Sequence, residues 1–243
     1  MKENGGRAKV SVVLPAHNEA DILEPSVSEI VKVLDGYSGG YEIVIAEDGS
    51  TDGTNKKADL LAERLPCVKH LHSEQRLGRG KALKNAFKQS SGEVLVYMDV
   101  DLATDVRQLT ELIACVDVEG YDFATGSRLL PESDVKRSGT RSMASKTYNF
   151  MVRAVLGSKV RDHQCGFKAF RREPLLQLID EVCADHWFWD TELLVRAHRR
   201  GYKIKEIPVL WKSGRDTKVR LLHDSVYMGW QIFSLWWHLK AQQ

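Results

Sequence analysis

The sequence lacks the features that mark secreted, disulfide-stabilised and membrane-spanning proteins. Only four of its 243 residues are cysteines, they lie far apart, and no two form a Cys-x-x-Cys pair. This spacing argues against a zinc site or a disulfide framework and suits a reducing compartment. The first ten residues, MKENGGRAKV, contain no apolar segment of the kind found in a secretory signal peptide. The composition is that of an ordinary soluble globular protein.

Long hydrophobic runs are also missing. No uninterrupted apolar run reaches the roughly 20 residues that a membrane-spanning helix requires. The longest candidate, VYMGWQIFSLWWHL near the C-terminus, is interrupted by Gln231, Ser234 and His238. The chain has no internal repeat, low-complexity segment or clear linker. We therefore expect a single domain over residues 1–243.

Charge is divided unevenly along the chain, although the net charge is only +2. Residues 1–127 hold 14 Lys and Arg against 21 Asp and Glu, a balance of −7. Residues 128–220 hold 20 against 11, a balance of +9. An acidic half suits a metal cation and a basic half suits an anion, although solvated surface charge explains the division equally well.

Short apolar, β-branched runs alternate with helical patterns through the first half. The runs predict strands at residues 9–16, 41–50, 68–73, 93–99 and 121–127. The intervening patterns predict helices at Glu19–Leu34, Thr54–Leu65, Gly80–Gln89 and Thr104–Val118. This alternation is typical of an α/β fold, in which helices cover both faces of a mostly parallel central sheet.

The second half is richer in helices and in basic residues. After a predicted loop at residues 129–139, strands are predicted within residues 163–173 and at residues 202–210. Helices are predicted at Thr140–Leu156, Phe188–Arg200 and Val219–Leu239. The chain thus divides into a sheet half (1–127), a basic half (128–218) and a helical C-terminal extension (219–240).

Polar residues follow four of the predicted strands. In order along the chain they are Asn18 and Glu19, Glu47 and Asp48, Asp99 and Asp101, and Ser127 and Arg128. Ligands of parallel sheets bind at the carboxyl ends of the strands. The four strand ends therefore predict one shared binding edge.

Two like charges, Asp99 and Asp101, end the strand EVLVYMD. Alternate residues of an extended strand point to the same side, so the two carboxylates are expected to face the same way. They would repel each other unless a cation lies near them. Mg²⁺ and Mn²⁺ accept carboxylate oxygens together with substrate phosphates. The pair therefore predicts a site for a metal–diphosphate, although the short motif also occurs by chance in solvated loops.

The segments VVLPAHNEA and EIVIAEDGSTDGT, taken with this acid pair, resemble the family-2 inverting glycosyltransferases and their GT-A nucleotide-sugar-binding fold. The resemblance implies that Pro15, Asn18 and Glu19 line the nucleotide and that Asp48 contacts its base or ribose. It places Asp99 near the ribose and sugar, and it makes Asp101 the ligand of Mg²⁺ or Mn²⁺. The same donor-binding set includes Ala16, Glu47 and Val100. Glu47 stands where Asp is common, and Val100 where Ala is common.

The segment LGRGKALK looks like a phosphate loop but lacks the Gly-x-x-x-x-Gly-Lys-Ser/Thr spacing. We interpret it as a glycine-rich entry to a helix with solvated lysines. Gly80 could still allow the backbone to approach the donor.

A narrower resemblance, carried by GSR, RSMASKTYN, RDHQCGFKAFRRE and FWDTELLVRA, is to the polyprenyl-phosphate branch of that family. The chain is more similar to dolichyl-phosphate glucosyltransferases than to the mannosyl enzymes. The resemblance implies that Arg128, Arg141 and Ser145 hold the lipid phosphate. A looser match at GRDTKV adds Arg215 and Lys218 at the mouth of the cleft.

The residues alone leave the basic helix open to two interpretations. Arg141, Ser145, Asn149 and Arg153 recur every four residues and share one helix face, with Met143, Phe150, Met151 and Val155 largely away from it. Such a polar stripe either faces solvent or binds an anion.

The C-terminal extension combines a narrow polar stripe with many apolar residues. Asp224, Tyr227, Gln231, Ser234 and His238 form the stripe. The tryptophan-rich remainder suits a membrane interface, or it packs on the core or on a second subunit.

The expected reaction is transfer of a hexose from UDP-glucose or UDP-N-acetylglucosamine to dolichyl or polyprenyl phosphate, with GDP-mannose as the alternative donor. Asp99, Asp101, Asp190 and Arg128 are the candidate catalytic residues. Asp190 and Glu192 are candidate bases or orienting groups, and Asp190 is equally a candidate helix N-cap. His17, His163 and His186 are expected at the surface or as caps.

The expected partners are the nucleotide sugar, the lipid phosphate and a membrane surface, on the cytoplasmic face. Nucleic acid is not expected, and a homo-oligomer is left open. Two other classes compete with this interpretation. A nucleotidyltransferase would need a Gly-rich basic loop after the first strand, which PAHNEA does not supply. A non-catalytic sugar-nucleotide-binding membrane module would not need both Asp99 and Asp101.

Overall fold

The computed structural model describes residues 9–212 and 221–241, with side chains of the last helix described from Tyr227 onwards. A seven-stranded sheet forms its centre, in the spatial order β3-β2-β1-β4-β7-β5-β8. Its strands are β1 Val10–Ala16, β2 Tyr41–Asp48, β3 Val68–Ser73, β4 Val94–Met98, β5 Phe123–Ser127, β7 Phe167–Arg171 and β8 Ile204–Pro208. A small parallel pair, β6 Asp134–Lys136 and β9 Leu210–Lys212, lies beside it.

Eight helices connect and cover the strands within the described residues. They are α1 Leu23–Leu34, α2 Thr54–Arg64, α3 Arg79–Gln89, α4 Leu109–Asp117, α5 Gly139–Leu156, α6 Arg172–Ile179, α7 Trp189–Arg199 and α8 Leu221–Ala241. Alternate residues of the central strands enter two separate cores, so both faces of the sheet are covered. One core holds α1, α2 and α4, and the other holds α3 and α5 to α8. The predicted α/β architecture is confirmed.

The strands β1, β2, β3 and β4 pair in parallel, as their apolar character predicts. In contrast, β7 runs antiparallel and inserts between β4 and β5. The two parallel blocks are therefore separated, and the beginning of β7 lies at the binding edge. Because β7 begins at this edge, Cys165, Gly166 and Lys168 lie beside the carboxyl end of β4.

Several predicted boundaries were wrong for local reasons. The helix predicted from Glu19 begins at Leu23, because Asn18 adopts a left-handed φ of 56° and the following residues form a turn. The helix predicted from Thr104 begins at Leu109, after a 3-10 turn that the side chain of Asp105 caps. The helix α6 and the strand β6 were not predicted at all, and both are short.

The orientation of α5 tests the solvent-facing interpretation of its polar stripe. Ser145 and Asn149 are buried against the rest of the protein, whereas Met143, Phe150 and Met151 are exposed. A purely solvent-facing polar stripe is therefore wrong for Ser145 and Asn149. The buried face of the helix combines these two polar residues with Tyr148, Val152 and Leu156, and several apolar side chains face outward.

The helix α8 packs beside α5. Met228, Ile232, Leu235 and Leu239 are buried in the same core as Tyr148 and Val152 of α5. Within residues 9–212 and 221–241, no helix is long and apolar enough to cross a bilayer.

Candidate active site

The loops after β1 and β2 are tied together by side-chain to backbone hydrogen bonds. The N–H of Asn18 donates to Ser50 Oγ over 3.0 Å, and Asn18 Oδ1 accepts from the N–H of Thr51 over 2.8 Å. The N–H of Glu19 donates to Thr54 Oγ1 over 2.9 Å. Asn18 thus shapes the loop at the carboxyl end of β1.

The end of β2 is linked to the beginning of α3 through Asp48. Its two carboxylate oxygens accept from the N–H groups of Leu77 (2.6 Å) and Gly78 (3.0 Å). Each oxygen of a carboxylate has a second lone pair, so Asp48 can still accept from a ligand. His17 Nδ1 lies 2.7 Å from the carbonyl oxygen of Asp48.

The acid pair lies where the chain leaves β4. The strand ends at Met98 and the backbone then turns, with a left-handed φ of 47° at Leu102, so the extended geometry expected for Asp99 and Asp101 does not continue. The two carboxylates are still close enough to interact. Burial, and then the negative charge of Asp99, raise the pKa of the Asp101 carboxyl.

Arg79, at the first position of α3, pairs with Asp99. Its Nη2 donates to Asp99 Oδ1, which also accepts from the hydroxyl of Tyr97 over 3.0 Å. The guanidinium lies 5.0 Å from the ring centroid of Tyr97 and 4.7 Å from that of Trp187. The prediction overlooked Arg79, although it lies inside LGRGKALK.

The glycines of LGRGKALK allow close packing with other protein residues. A Cβ on Gly78, whose φ is 95°, would lie 2.6 Å from the carbonyl oxygen of Asp185. The N–H of Gly80 donates to that same oxygen over 2.8 Å. This hydrogen bond supports the interpretation as a glycine-rich helix entry rather than a phosphate loop.

A buried ion pair joins Asp190 to Lys168. Lys168 Nζ lies 3.3 Å from Asp190 Oδ1, donates to the carbonyl oxygen of Cys165, and lies 5.8 Å from the Tyr97 ring centroid. Burial raises the pKa of the Asp190 carboxyl, against the opposing positive charge of Lys168. Phe188 is the N-cap of α7, so the interpretation of Asp190 as the N-cap was wrong.

Gly166 brings the beginning of β7 against the acid pair. A Cβ on Gly166 would lie 1.8 Å from Asp99 Oδ2, so only glycine fits there without a shift. The N–H of Asp99 donates to the carbonyl oxygen of Gly166 over 3.0 Å. Lys168 was also overlooked, and its signal was a lysine inside the buried strand FKAFR.

Asp101 differs from Asp99 and Asp190 in its electrostatic surroundings. Asp99 is paired with Arg79, and Asp190 with Lys168. Within residues 9–212, no lysine or arginine forms an ion pair with Asp101, whose Oδ1 accepts only from the N–H of Ala103 over 3.1 Å. A carboxylate that has no cationic partner and lies beside a second acid suits a hard divalent cation such as Mg²⁺ or Mn²⁺.

A basic cluster lies at the end of β5. Arg128 is bound to the buried Asp162 through its backbone N–H, Nε and Nη2, at 3.0, 2.7 and 2.9 Å. Burial opposes the charge of Arg128, but the Asp162 carboxylate raises its pKa overall. The guanidiniums of Arg128 and Arg137 lie 5.8 and 6.0 Å from the ring centroid of Trp211.

Arg137 was not predicted, although it lies in the basic run VKRSGTR. Burial, and then the charge of Arg128, lower the pKa of Arg137. Arg137 Nε and Ser145 Oγ are both buried and have no hydrogen-bond partner among the described residues. Asp162 is bound to Arg128, and Arg137 beside it forms no ion pair within residues 9–212, so this part of the structure can accommodate an anion.

The remaining predicted residues divide into three groups. Pro15 and Ala16 end β1, and Val100 lies in the turn after β4, where its carbonyl oxygen accepts from Ser26 Oγ over 2.5 Å. Arg141 lies in the first turn of α5, and Glu47 is engaged with Ser50 and His72. Arg215 and Lys218 lie outside the described residues, as does the side chain of Asp224.

Burial and hydrogen bonds describe the surroundings of two other predicted residues. His163 is completely buried, so the expectation of a surface or capping residue was wrong. Its Nδ1 pairs with Asn149 Oδ1 and its Nε2 with Ser158 Oγ, both over 2.8 Å, and burial lowers its pKa to about 3. Glu192 accepts from the N–H groups of Cys183 and Ala184 and therefore orients that loop.

Comparison with solved structures supports the fold. A mannosyltransferase from Pyrobaculum calidifontis, solved with GDP-Man and Mn²⁺, superposes with a TM-score of 0.65 at 21% identity, covering 98% of this chain and 66% of that one. Glucosyl-3-phosphoglycerate synthase from Mycobacterium tuberculosis, solved with Mn²⁺, UDP-Glc and glycerol 3-phosphate, gives 0.68 at 22% identity, covering 95% and 79%.

Comparison with curated sequences identifies the family. Glycosyltransferase AglD of Haloferax volcanii is 49% identical over 96% of this chain, which spans 38% of that protein's length. Dolichyl-phosphate beta-glucosyltransferase of Saccharomyces cerevisiae is 29% identical over 90% of the chain, which spans 71% of that protein. The family model described as "Glycosyl transferase family 2" matches residues 11–179, well over half of the sequence. The chain therefore belongs to glycosyl transferase family 2.

Proposed function

We propose that this protein transfers a hexose from a nucleoside diphosphate sugar, UDP-glucose or UDP-N-acetylglucosamine, to dolichyl or polyprenyl phosphate with inversion. The observation that carries the proposal is the separation of charge at the binding edge. Asp101 has no cationic partner among the described residues, whereas Arg128 pairs with Asp162 and the neighbouring Arg137 forms no ion pair within residues 9–212. A donor bound through a metal on one side and an anionic acceptor on the other would satisfy both.

The donor would lie across the ends of β1, β2 and β4. Pro15, Ala16, Asn18 and Glu19 border the nucleotide in this proposal, with Glu47, Asp48 and Val100 completing that border. Asp99, held by Arg79 and Tyr97, would face the ribose and the sugar. Since the Asp99 carboxylate is already paired, it can orient hydroxyl groups without repelling the diphosphate as strongly as a free carboxylate would.

The metal ligand from the chain would be Asp101. Mg²⁺ or Mn²⁺ held there would supply Lewis-acid stabilisation of the charge that develops on the departing diphosphate. Within residues 9–212, the chain's own contribution is to leave this carboxylate without a lysine or arginine partner while Arg79 neutralises its neighbour Asp99. This arrangement favours binding of a cation by Asp101 rather than by Asp99.

The acceptor phosphate would bind at Arg128, Arg137, Arg141 and Ser145. The phosphate oxygen attacks the anomeric carbon from the face opposite the diphosphate, so the bond to the diphosphate breaks and an α-linked donor gives a β-linked product. A phosphate monoester has a second pKa of about 6 and is anionic at neutral pH. The nucleophile therefore needs positioning more than it needs a base.

Asp190 takes a positioning role in this scheme. It is buried and lies beside Lys168, and Lys168 in turn lies over the Tyr97 ring. This chain of contacts reaches Asp99 through the Tyr97 hydroxyl. Asp190 would thereby fix the sugar side of the site rather than remove a proton from the acceptor.

The lipid would be presented by a membrane surface bound to α5 and α8. Met143 and Phe150 of α5 and Trp230, Phe233 and Trp237 of α8 are each at least 60% exposed. Exposed aromatic residues on a helix, with lysines and arginines nearby, suit the interface between lipid headgroups and acyl chains. Peripheral attachment at this face would bring the lipid phosphate towards the basic cluster.

A transfer assay tests the proposal. Purified protein, Mn²⁺ or Mg²⁺, polyprenyl phosphate and labelled UDP-glucose, UDP-N-acetylglucosamine or GDP-mannose would be incubated separately. We expect label from a UDP-sugar to extract into organic solvent, and Asp101→Asn to reduce this by at least about 100-fold. Asp180→Asn, which changes an exposed and distant carboxylate, is the matched control. Label found only in water-soluble products would overturn the lipid assignment, and label from GDP-mannose alone would overturn the donor assignment.

A further inference from the structure

A cluster of two histidines and one glutamate lies on the edge strand β3 and its neighbour β2. His70 and His72 are alternate residues of the edge strand β3 and share one face. Glu47 lies opposite His72 in the parallel register of β2 and β3. One ligand atom from each of the three side chains lies within 4.8 Å of the other two.

His70 has the hydrogen bonding of a metal ligand. Its side chain is only 7% exposed, and its Nδ1 lies 2.7 Å from Asp59 Oδ1. With Nδ1–H donating to the carboxylate, the lone pair of Nε2 is left free. That nitrogen is buried and has no hydrogen-bond partner among the described residues. Histidines that bind metals almost always donate their other ring N–H to such a partner.

Glu47 and His72 complete the cluster. The Glu47 side chain is fully buried, its Oε1 accepts from the N–H of Ser50 over 2.5 Å, and its Oε2 is in short contact with His72 Nδ1. The side chain of His72 is 42% exposed, which gives an ion a route from solvent. An ion pair without metal explains the contact between Glu47 and His72, but it leaves the buried Nε2 of His70 without a partner.

We propose that Glu47, His70 and His72 bind a zinc ion, or a similar imidazole-preferring transition-metal ion, at a second site. Two imidazoles and one carboxylate are a common zinc ligand set, whereas Mg²⁺ prefers oxygen ligands alone. Zinc–ligand bonds of about 2.0–2.2 Å place the ligand atoms about 3.3–3.6 Å from one another. The side chains of Glu47 and His72, now in short contact, therefore move slightly apart when the ion binds between them.

The site has a structural consequence for the donor side. The ion links β2 to β3 at the residue directly before Asp48, and Asp48 holds the Leu77–Gly78 loop that leads to Arg79. Zinc therefore stabilises the strand ends that carry the nucleotide loops. This inference does not depend on the proposed reaction, because bound metal and thermal stability report on it directly.

The test uses the whole chain, depleted of metal and then titrated with ZnCl₂ against a chromophoric chelator. We expect one zinc per chain, no competition from a hundredfold excess of MgCl₂, and a higher melting temperature with zinc. His70→Ala should weaken zinc binding by at least about 100-fold, and Asp59→Asn by about 10- to 100-fold. Asp59 is largely exposed, so this second variant remains informative if His70→Ala does not fold.

Two controls separate this site from other metal-binding groups. His238→Ala removes an exposed histidine of α8, and Asp101→Asn removes the ligand proposed for Mg²⁺ or Mn²⁺; both should keep wild-type zinc affinity. The proposal is overturned if the wild type binds no more zinc than His70→Ala and Asp59→Asn do. It is also overturned if Asp101→Asn abolishes zinc binding while both of these variants retain it.

Discussion

Arg79 donates a hydrogen bond to the Asp99 carboxylate, while Asp101, two residues further along, has no lysine or arginine partner within the described residues. Two aspartates that look equivalent in the sequence therefore have different electrostatic surroundings. Asp99 is neutralised and oriented, whereas Asp101 remains available to a cation. The proposed division of work between them depends on this contact.

The first prediction concerns Arg79→Met. Loss of the guanidinium leaves the charge of Asp99 unbalanced and removes the contacts to Tyr97 and Trp187, so the sugar side of the site loses its geometry. Sugar transfer should fall by about 100-fold, since misplacement by about 1 Å has such effects. Steady-state kinetics on the purified variant measure this.

Arg76→Met is the matched control, because Arg76 is exposed in the same loop. Its transfer rate should stay within about twofold of wild type, as for most surface changes. Equal losses in the two variants would show that general loop disturbance, and not the pairing with Asp99, controls the rate.

The second prediction concerns the stability contributed by Lys168. Lys168→Met leaves the buried Asp190 without its cation, which typically costs about 3–5 kcal/mol. Urea unfolding of the single variant and of Lys168→Met/Asp190→Asn provides the measurement. The double variant should recover a large part of the loss, and failure to recover any would mean that the pair does not interact as the structure shows.

The same pair predicts a dependence on pH. Because burial raises the pKa of Asp190 in the folded state, the folded protein binds a proton more readily than the unfolded chain does. This contribution to the free energy of unfolding is fully present below the unfolded carboxyl pKa of about 3.9 and is lost as pH rises through the folded pKa. Removal of Lys168 should strengthen the effect, so the Lys168→Met variant should be closest to wild type in acid. A constant difference from pH 4 to pH 8 would contradict this.

The third prediction concerns binding of Mn²⁺ in the presence of UDP. The pKa of Asp101 is raised by burial and by Asp99, and a proton on its carboxyl competes with the ion. As the pH is lowered, the affinity for Mn²⁺ should therefore begin to fall at a pH above the ordinary carboxyl pKa of about 3.9. Electron paramagnetic resonance of free Mn²⁺ measures it, and the same pH dependence in Asp101→Asn would assign the effect to another group.

The fourth prediction concerns the acceptor side. Arg137→Met should raise the KM for polyprenyl phosphate by about 10-fold or more, because a hydrogen bond to a charged group contributes about 1.5–3 kcal/mol. The KM for the donor should not change. Lys136→Met is the control, since Lys136 is the exposed neighbour in β6. If both changes raised the KM for the lipid equally, Arg137 would act only through the general positive charge of this surface and not by binding the acceptor phosphate.

The fifth prediction concerns the exposed apolar residues of α5 and α8. Phe150→Asp combined with Trp230→Asp should abolish cosedimentation with vesicles of phosphatidylcholine and phosphatidylglycerol. Leu60→Asp changes an exposed apolar residue of α2 and should have no effect. If the double variant instead converts a stable dimer into a monomer without changing vesicle binding, a second copy of the chain covers this face.

The central strands could be predicted because their apolar, β-branched runs are buried on both faces and so leave a continuous pattern. The antiparallel insertion of β7 could not, because a five-residue strand carries no signal of its direction or neighbours. The inward orientation of α5 was not predictable either. Helical periodicity shows which residues share a face, but it does not show which face is buried.

The candidate site shows the same division between local and long-range information. Asp99 and Asp101 could be predicted because they follow a strand directly. Arg79 and Lys168 could not, since their partners lie 20 and 22 residues away and meet them only in the folded chain. Arg137 lies in the basic run VKRSGTR, which the sequence shows. Its position beside Arg128 depends on β6 and β9 and could not be predicted.

The position of the metal is the most direct test of the account. A crystal of the protein with UDP-glucose and MnCl₂, measured at the manganese absorption edge, locates the ion by anomalous scattering. The account predicts a peak against the Asp101 carboxylate and the diphosphate oxygens, with Asp99 still held by Arg79. Manganese bound to Asp99 instead, or a diphosphate bound without any ion near Asp101, would contradict it.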